Sequence, residues 1–498
     1  MNSHNLDTYL LVGSGVLVLA ILAVRVSLSA GLPSLLFYLG IGLIMGSSGL
    51  GVQFADADLA LALGLAALVL ILAEGGVTTK WEHVRPSIGL GLLLATVGVT
   101  ISVVVVALGS HYLLGLDWEI AVLLAAVTSP TDAAAVFSVL RAVPLKHKIS
   151  GVLESESGLN DAPIVVLVVA ISAGHISDKT PFEFFLLIVA ELVGGALIGF
   201  VIGRLGALTL RASALPASGL YPIAILALSV LAYGTAASVN ASGFAGVYIA
   251  ALVLGNADLP HRAATRSFAE GIGSLAQIGL FIMLGLLADP GEIRWWHVWT
   301  AVAAGAILTF VARPLSVLAS TIGQNYGKRE QAFIAWAGLR GAVPIILATI
   351  PLANGVKDSD DLFNIVLVFV ILYTLIQAPT LGWLARRTNV LTDAPRDVEV
   401  EAAPLEKISA DLLQIHVPRG SKLVGVEMGE LRLPEGASIS LVVRQGVTLV
   451  PDRTMRIKLR DDLLIVTPRA AREATEQRLR DVGRNGRLAG WQTDSDAS

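Results

Sequence analysis

Apolar residues in this chain gather into long runs separated by short polar stretches. Thirteen runs are read, at about 8–27, 32–49, 59–78, 87–112, 119–140, 149–174, 182–206, 219–239, 242–256, 270–289, 295–320, 331–353 and 362–385. Many are close to the roughly 20 residues that a helix needs to cross about 30 Å of hydrocarbon. The runs 32–49 and 242–256 are the shortest. The expected architecture over 1–390 is therefore an all-α polytopic membrane domain of about thirteen helices.

Two runs are interrupted mid-span. Thr128-Ser129-Pro130-Thr131-Asp132 breaks the fifth, and Gly338-Leu339-Arg340-Gly341-Ala342-Val343-Pro344 breaks the twelfth. Irregular backbone at membrane depth survives only inside protein or beside a water-filled cavity. Paired broken helices in corresponding halves point to a transporter binding site. The fifth and twelfth spans are seven apart, which fits two inverted repeats of about six spans with one extra between them. That inference comes from hydropathy alone.

The pattern changes after Arg387. Residues 391–404 are polar and acidic and read as a linker. Residues 405–482 read as a small α+β domain. Its expected elements are strands over 411–417, 437–444, 447–450 and 463–467, a turn at Gln445-Gly446, a short helix over 422–431 capped by Ser421, and a helix over 469–482. No GxGxxG is present in it. The tail 483–498 reads as disordered.

Composition agrees with the bilayer as solvent. Charged residues are 15% of the chain, against roughly 25% in an average soluble domain, and the mean hydropathy is +0.73. The first residues lack Lys and Arg and the first apolar run is long enough to stay as a helix, so no cleavable signal peptide is expected. With no cysteine, disulfides, thiolate metal sites and thiol catalysis are excluded. The net charge of −4 says little, because charge is segregated by membrane side.

That segregation orients the chain. After the odd-numbered spans lie Arg25, Lys80, Arg85, Arg141, Lys146, Lys148, Arg204, Arg211, Arg262, Arg266, Lys328, Arg329, Arg386 and Arg387, fourteen in all. The opposite loops hold only Lys179, Arg294 and Lys357. Basic residues in short loops mark the cytoplasmic side, so the N-terminus is expected outside and the C-terminal domain in the cytoplasm of a cell-membrane protein.

Ionisable groups within spans are costly, by about 2.5–3.5 kcal/mol or more each, so they usually face a cavity or a partner. Glu154, Ser157 and Asp161 are spaced by three and four and share one helical face, with Asn160 beside Asp161. Hard cations want several oxygen ligands. A carboxylate, a hydroxyl and carbonyl oxygens near Thr131-Asp132 would supply them. Burial favours a protonated carboxyl and a bound cation favours the ionised one, so Asp161 is expected to hold a proton or a cation, but not both. Asp132 either binds the ion or neutralises the dipole of the half-helix that follows it. Thr131 offers a carbonyl or a hydroxyl. Glu154 and Arg340 are candidates for a buried core ion pair, and Arg340 alternatively neutralises the half-helix dipoles of the twelfth span. Glu74 is either an access-path carboxylate or an interfacial residue, and Arg313 is read as snorkelling. Thr96-Val97-Gly98-Val99-Thr100 has the look of a channel filter but lies inside a continuous apolar span. The chain lacks a Walker A motif, HExxH and a suitably placed GxSxG, and its histidines are scattered, so neither ATP-driven nor enzymatic chemistry is expected.

The segments Thr128–Asp132, Glu154–Asp161 and Gly338–Pro344 together resemble the three signatures of NhaP-type monovalent cation/proton antiporters (cation:proton antiporter family one, potassium/proton subgroup). The resemblance covers essentially the whole membrane region. It implies an NhaA-like fold with a dimerisation part and a six-helix core, a homodimer, and an elevator-like movement that carries K⁺ or Na⁺ against H⁺. It also implies Asp161 as the carrier, Asn160-Asp161 as the pair of the electroneutral members, Thr131, Asp132 and Ser157 completing the ion shell, and Glu154 paired with Arg340. The chain departs from the pattern at Ala162, which separates the Asn-Asp pair from Pro163, and in the order of the fifth-span motif. Residues 405–482, through Ser421-Lys-Leu-Val-Gly425 and the hairpin at Gly446, resemble the TrkA C-terminal lobe of regulator-of-potassium-conductance domains. In that resemblance the lobe dimerises, and some relatives bind cyclic di-adenosine monophosphate. No cofactor is expected for transport itself, and no nucleic-acid partner. The alternative reading is a K⁺ channel gated by the lobe.

Overall fold

The computed structural model of the protein describes residues 3–30, 32–54, 56–132, 135–136, 139, 145–174, 181–213, 215–392, 400–405 and 410–486. The chain divides into two compact units, a membrane unit of residues 1–260 and 265–391 and a second, C-terminal unit of residues 392–498 together with 261–264.

The membrane unit is helical. Its helices are α1 (Ser3–Ala30), α2 (Ser34–Met45), α3 (Ala57–Thr78), α4 (Trp81–Tyr112), α5 (Trp118–Thr128), α6 (His147–Ser172), α7 (Pro181–Ala212), α8 (Leu220–Ser238), α9 (Gly243–Asn256), α10 (Arg262–Leu287), α11 (Trp295–Ser320), α12 (Lys328–Trp336), α13 (Ala342–Ala353) and α14 (Ser359–Thr388). Among the described residues nine of these spans are long and apolar enough to cross a membrane, and α2, α5, α9 and α13 are shorter apolar helices. These elements fall on the thirteen runs read from the sequence.

The two breaks lie where the sequence places them. α5 ends at Thr128, and the backbone is irregular from Ser129 to Asp132. The rest of that span lies largely outside the described residues, with Ala135, Val136 and Val139 helical. In the twelfth span, Ala337–Gly341 separates α12 from α13. At 1.5 Å per residue a 12-residue helix such as α13 reaches only about 18 Å, so each half-helix stops partway across.

Packing sorts the helices into two bundles. α3 packs on α9, and α7, α8 and α9 pack on one another. In the other bundle α4 packs on α5, α6 and α11, and α14 packs on α5, α11, α12 and α13. The second bundle therefore comprises the fourth, fifth, sixth, eleventh, twelfth and thirteenth spans, a six-helix core. The repeat has a further structural trace. α4 contains a π-helical turn at Leu94–Gly98, and α11, seven spans later, contains one at Leu308–Ala312. Ser316 Oγ of α11 donates to the Gly98 carbonyl at 2.6 Å and shares a 2.8 Å bond with Ser102 Oγ, so the two equivalent spans are joined beside the irregular turn.

The C-terminal unit is a five-stranded antiparallel sheet, β1 (Val400–Leu405), β2 (Ala410–His416), β3 (Ser438–Arg444), β4 (Val447–Leu449) and β5 (Asp462–Pro468), in the order β1-β2-β5-β3-β4, followed by helix α15 (Arg472–Asn485). Leu413, Ile415, Leu463 and Ile465 alternate to one face and pack on Leu479 and Val482 of α15. The hairpin turns at Gln445 and Gly446, both at positive φ (51° and 80°), as two-residue hairpin turns favour. Three expectations change here. The segment read as a linker contains β1, which pairs with β2 from Val400 to Leu405. Most of the expected helix 422–431 is turns, with only a 3₁₀ turn at Met428–Leu431, because Gly425 at φ 88° interrupts it. Gly483–Asn485 continue α15 instead of starting the tail, and residues 487–498 lie outside the described residues, as does 393–399 of the linker.

Candidate ion-binding site

The site lies where the two bundles meet. A cavity of about 320 Å³ opens between α3, α6, α9, α10, the broken fifth span and the start of α13. Ser157 and Asp161, spaced by four on α6, both line it, as does Glu154 one turn earlier. From the break come Thr131 and Asp132, and from α3 comes Glu74. The cavity is thus lined by four carboxylates and by no Lys or Arg. A polar space of this size accommodates several waters.

Asp161, which lines the cavity, and its neighbour Asn160 are both buried. Asn160 Nδ2 donates to Thr131 Oγ1 at 2.9 Å, which ties α6 to the break. Among the described residues, Asn160 Oδ1 and Asp161 Oδ1 have no hydrogen-bond donor. Buried acceptors are normally paired, so these two oxygens of adjacent residues are available to a donor or a cation. Both supply oxygen, the ligand type that hard cations take.

The breaks explain how Asp132 and Arg340 are held. The Asp132 amide donates to the Leu339 carbonyl at 2.7 Å, which locks the two irregular segments together. Its Oδ1 accepts the Ala135 amide at 3.2 Å, and its carboxylate packs on the backbone of Gly341, the N-cap of α13. It therefore stands at two half-helix N-termini, where negative charge is favoured. Arg340 does the reverse. Its Nε donates to the Thr128 carbonyl at 3.2 Å and its Nη1 to the Gly338 carbonyl, at the C-terminal ends of α5 and α12. Gly338 is required by crowding, since a Cβ there would sit 2.9 Å from Arg313 Nε and 3.2 Å from Thr131 Cγ2.

The expected Glu154–Arg340 ion pair is not formed. Glu154 faces the cavity, and the Arg340 guanidinium is directed to the half-helix carbonyls. The buried pair is Glu156 with Arg313, with Nη1–Oε1 at 2.5 Å and Nη2–Oε2 at 2.8 Å. The helix accounts for the difference. Two residues rotate a side chain by about 200°, so a helix that turns Glu154 to the cavity turns Glu156 away from it, toward α11. Arg313 accordingly does not snorkel but is 2% exposed. The one usable signal was that Glu154 shares its face with Ser157 and Asp161, which left Glu156 as the carboxylate for a partner. The filter-like segment 96–100 is helical throughout. The Thr96 carbonyl is taken by Thr100 Oγ1 and the Gly98 carbonyl by Ser316 Oγ, so neither lines a pore.

Two bundles, two broken spans joined at their breaks, and a carboxylate-lined cavity between them define a multi-pass membrane transporter. The sodium/hydrogen exchanger transmembrane family matches residues 15–387, and the TrkA-C domain matches residues 412–480. The chain belongs to the sodium/hydrogen exchanger family and is a cation/proton antiporter with a C-terminal TrkA-C domain. It is 34% identical over 478 residues to the K(+)/H(+) antiporter NhaP of Alkalimonas amylolytica, covering 94% of this chain and 82% of that one. It is 31% identical over 483 residues to the K(+)/H(+) antiporter NhaP2 of Shewanella oneidensis, covering 95% and 83%. The Na(+)/H(+) antiporter ApNhaP of Aphanothece halophytica is 26% identical over 402 residues, 74% of each chain. In fold, the membrane unit is similar to the sodium proton antiporter MjNhaP1 of Methanocaldococcus jannaschii, with a TM-score of 0.64 at 21% identity over 76% of this chain and all of that one.

Proposed function

We propose that this antiporter exchanges a monovalent cation, K⁺ in preference to Na⁺, for H⁺ through a single carrier carboxylate, Asp161. The observation that carries this is the pair of buried, donor-free oxygens, Asn160 Oδ1 and Asp161 Oδ1, beside a cavity without a basic side chain. Thr131, Ser157 and Asp132 complete the oxygen shell, and Glu74 and Glu154 line the approach. The K⁺ preference is supported by the relatives of highest identity quoted above, which are K(+)/H(+) antiporters.

One titrating carboxylate with a neutral amide beside it gives one-for-one, electroneutral exchange. The excess of basic residues in alternate loops supports an outside N-terminus and a cytoplasmic C-terminal lobe in the cell membrane. The division into two bundles supports alternating access by movement of the core against the rest, in a homodimer. The TrkA-C match supports a regulatory lobe, with a cyclic dinucleotide as the ligand class to test first.

The test is exchange in proteoliposomes carrying a lumenal pH dye, with K⁺ and Na⁺ pulses, for the native chain and for Asp161→Asn. Native exchange insensitive to an imposed membrane potential, and none in the variant, is expected. Normal exchange by Asp161→Asn would overturn the proposal.

A further inference from the structure

The residues by which the chain leaves the membrane unit are bonded to the start of the helix that carries Asp161. Asn389 ends α14 in the left-handed region, at φ 61°, and turns the chain back. The Asn389 carbonyl accepts Lys146 Nζ at 2.8 Å. Val390 is fully buried, and its carbonyl accepts the Lys146 amide at 2.9 Å. Leu391 forms an antiparallel bridge with Leu145. Three consecutive residues thus form a strap against Leu145 and Lys146, and Lys146 is the N-cap residue of α6. The next residue after the strap, Thr392, opens the C-terminal unit.

A plain tether needs none of these bonds. A segment that only carried a domain would leave α14 in solvent, without a buried valine or a strand-like pairing to another helix. The partner chosen is also specific. Lys146 and Asp161 belong to one helical segment, about 22 Å apart at 1.5 Å per residue, and a helix transmits displacement along its axis with little loss. The other ties at this end hold different elements. Lys148 Nζ bonds the Asn325 carbonyl and Glu330 Oε2, over the Tyr326 ring at 3.7 Å, and so fixes α6 to the first turn of α12 and the loop before it.

We propose that the strap 389–391 is the element through which the C-terminal lobe sets the position of α6, and thereby the turnover of the exchange site. This rests on the reading of Asp161 as the carrier. Tension or release at Thr392 reaches the N-cap of α6 through the Val390, Asn389 and Leu391 contacts and changes the balance between the two access states of the core.

The experiment is a two-by-two comparison of full-length chains in proteoliposomes. Asp461→Ala perturbs the lobe from within, because Asp461 is buried and holds Arg444 and the Lys458 amide. Lys146→Pro opens the strap. It removes both Lys146 bonds, and Lys146 already has φ −58°, the value proline imposes, after Leu145, which lies in a β-bridge. Asp461→Ala is expected to change the exchange rate by about fivefold or more in the native chain and by less than about twofold in the Lys146→Pro chain, the range of an ordinary coupling and its loss. Should Lys146→Pro fail to accumulate, Lys146→Ala with Val390→Ala weakens the strap without a backbone change and is expected to reduce the lobe effect in the same direction. Because the native chain has no cysteine, Leu145→Cys with Leu391→Cys permits the converse, a cross-linked strap that keeps the full lobe effect. An equal lobe effect with the strap open and closed, or no effect of Asp461→Ala in a native chain that exchanges, would overturn the proposal. Exchange that persists in Asp161→Asn would instead overturn the carrier assignment.

Discussion

The Glu156 carboxylate and the Arg313 guanidinium meet in a two-point pair between α6 and α11, with side chains 1% and 3% exposed. The pair joins α6, the helix of Asp161, to α11, the helix that corresponds to α4 seven spans earlier. Arg313 follows the π-helical turn of α11 directly, so the pair also anchors the irregular turn.

Breaking it leaves a buried charge alone, which is typically worse than removing both. Glu156→Gln is expected to destabilise the protein by roughly 3–5 kcal/mol. Glu156→Met combined with Arg313→Met is expected to lose less than Glu156→Gln alone. Thermal unfolding of the detergent-solubilised chains decides it. A double variant that is less stable than the single would show that the pair adds net stability instead of merely avoiding an isolated charge.

Gly341 leaves room for the Asp132 carboxylate at the start of α13. A methyl group there would occupy the carboxylate's position. Gly341→Ala is therefore expected to lower exchange by roughly tenfold to a hundredfold, the scale of an ångström-sized displacement at a reacting centre. Expression and melting temperature should change little. The measurement is initial exchange rate against cation concentration, and an unchanged curve would show that the position of Asp132 is immaterial to transport.

In the C-terminal unit, burial pushes the Asp461 carboxyl up, but the bidentate Arg444 contact, the Lys458 amide and the charges of Arg444 and Lys458 outweigh it and hold it below the usual carboxylate range. A group lowered on folding stabilises the folded state fully above its unfolded value near 3.8. That contribution is lost as pH falls through the lower folded value. The lobe is thus expected to lose stability below about pH 4, more steeply than an Asp461→Asn chain, which should be weaker by about 2 kcal/mol at pH 7. Hydrogen exchange of the β2, β3 and β5 amides against pH reads both. Parallel acid profiles for the two chains would remove Asp461 as the cause.

The thirteen runs, both breaks and the shared face of Glu154, Ser157 and Asp161 were legible in the sequence because each depends on a local rule. Hydrocarbon thickness sets the length of an apolar run, proline and glycine interrupt it, and a spacing of three or four defines a face. The choice between Glu154 and Glu156 as the partner of an arginine depends on which helix lies behind α6, and no local rule supplies that. The β1 strand is not legible in the sequence for a similar reason. Val400–Leu405 has the composition of a linker and becomes a strand because β2 offers an unpaired edge.

By itself, then, the sequence determined the solvent of this protein, the number of its apolar spans, and the helix face on which Asp161 sits. These follow from hydrophobicity and helical period along a single segment. Only the tertiary structure decided what faces Asp161, that Arg313 and not Arg340 neutralises the buried glutamate, that Arg340 and Asp132 cap opposite ends of the broken helices, and that the exit strap lies on Lys146. These are contacts between segments from about 30 to more than 240 residues apart. Which of several chemically suitable partners meet is settled by the packing of whole helices, not by their composition.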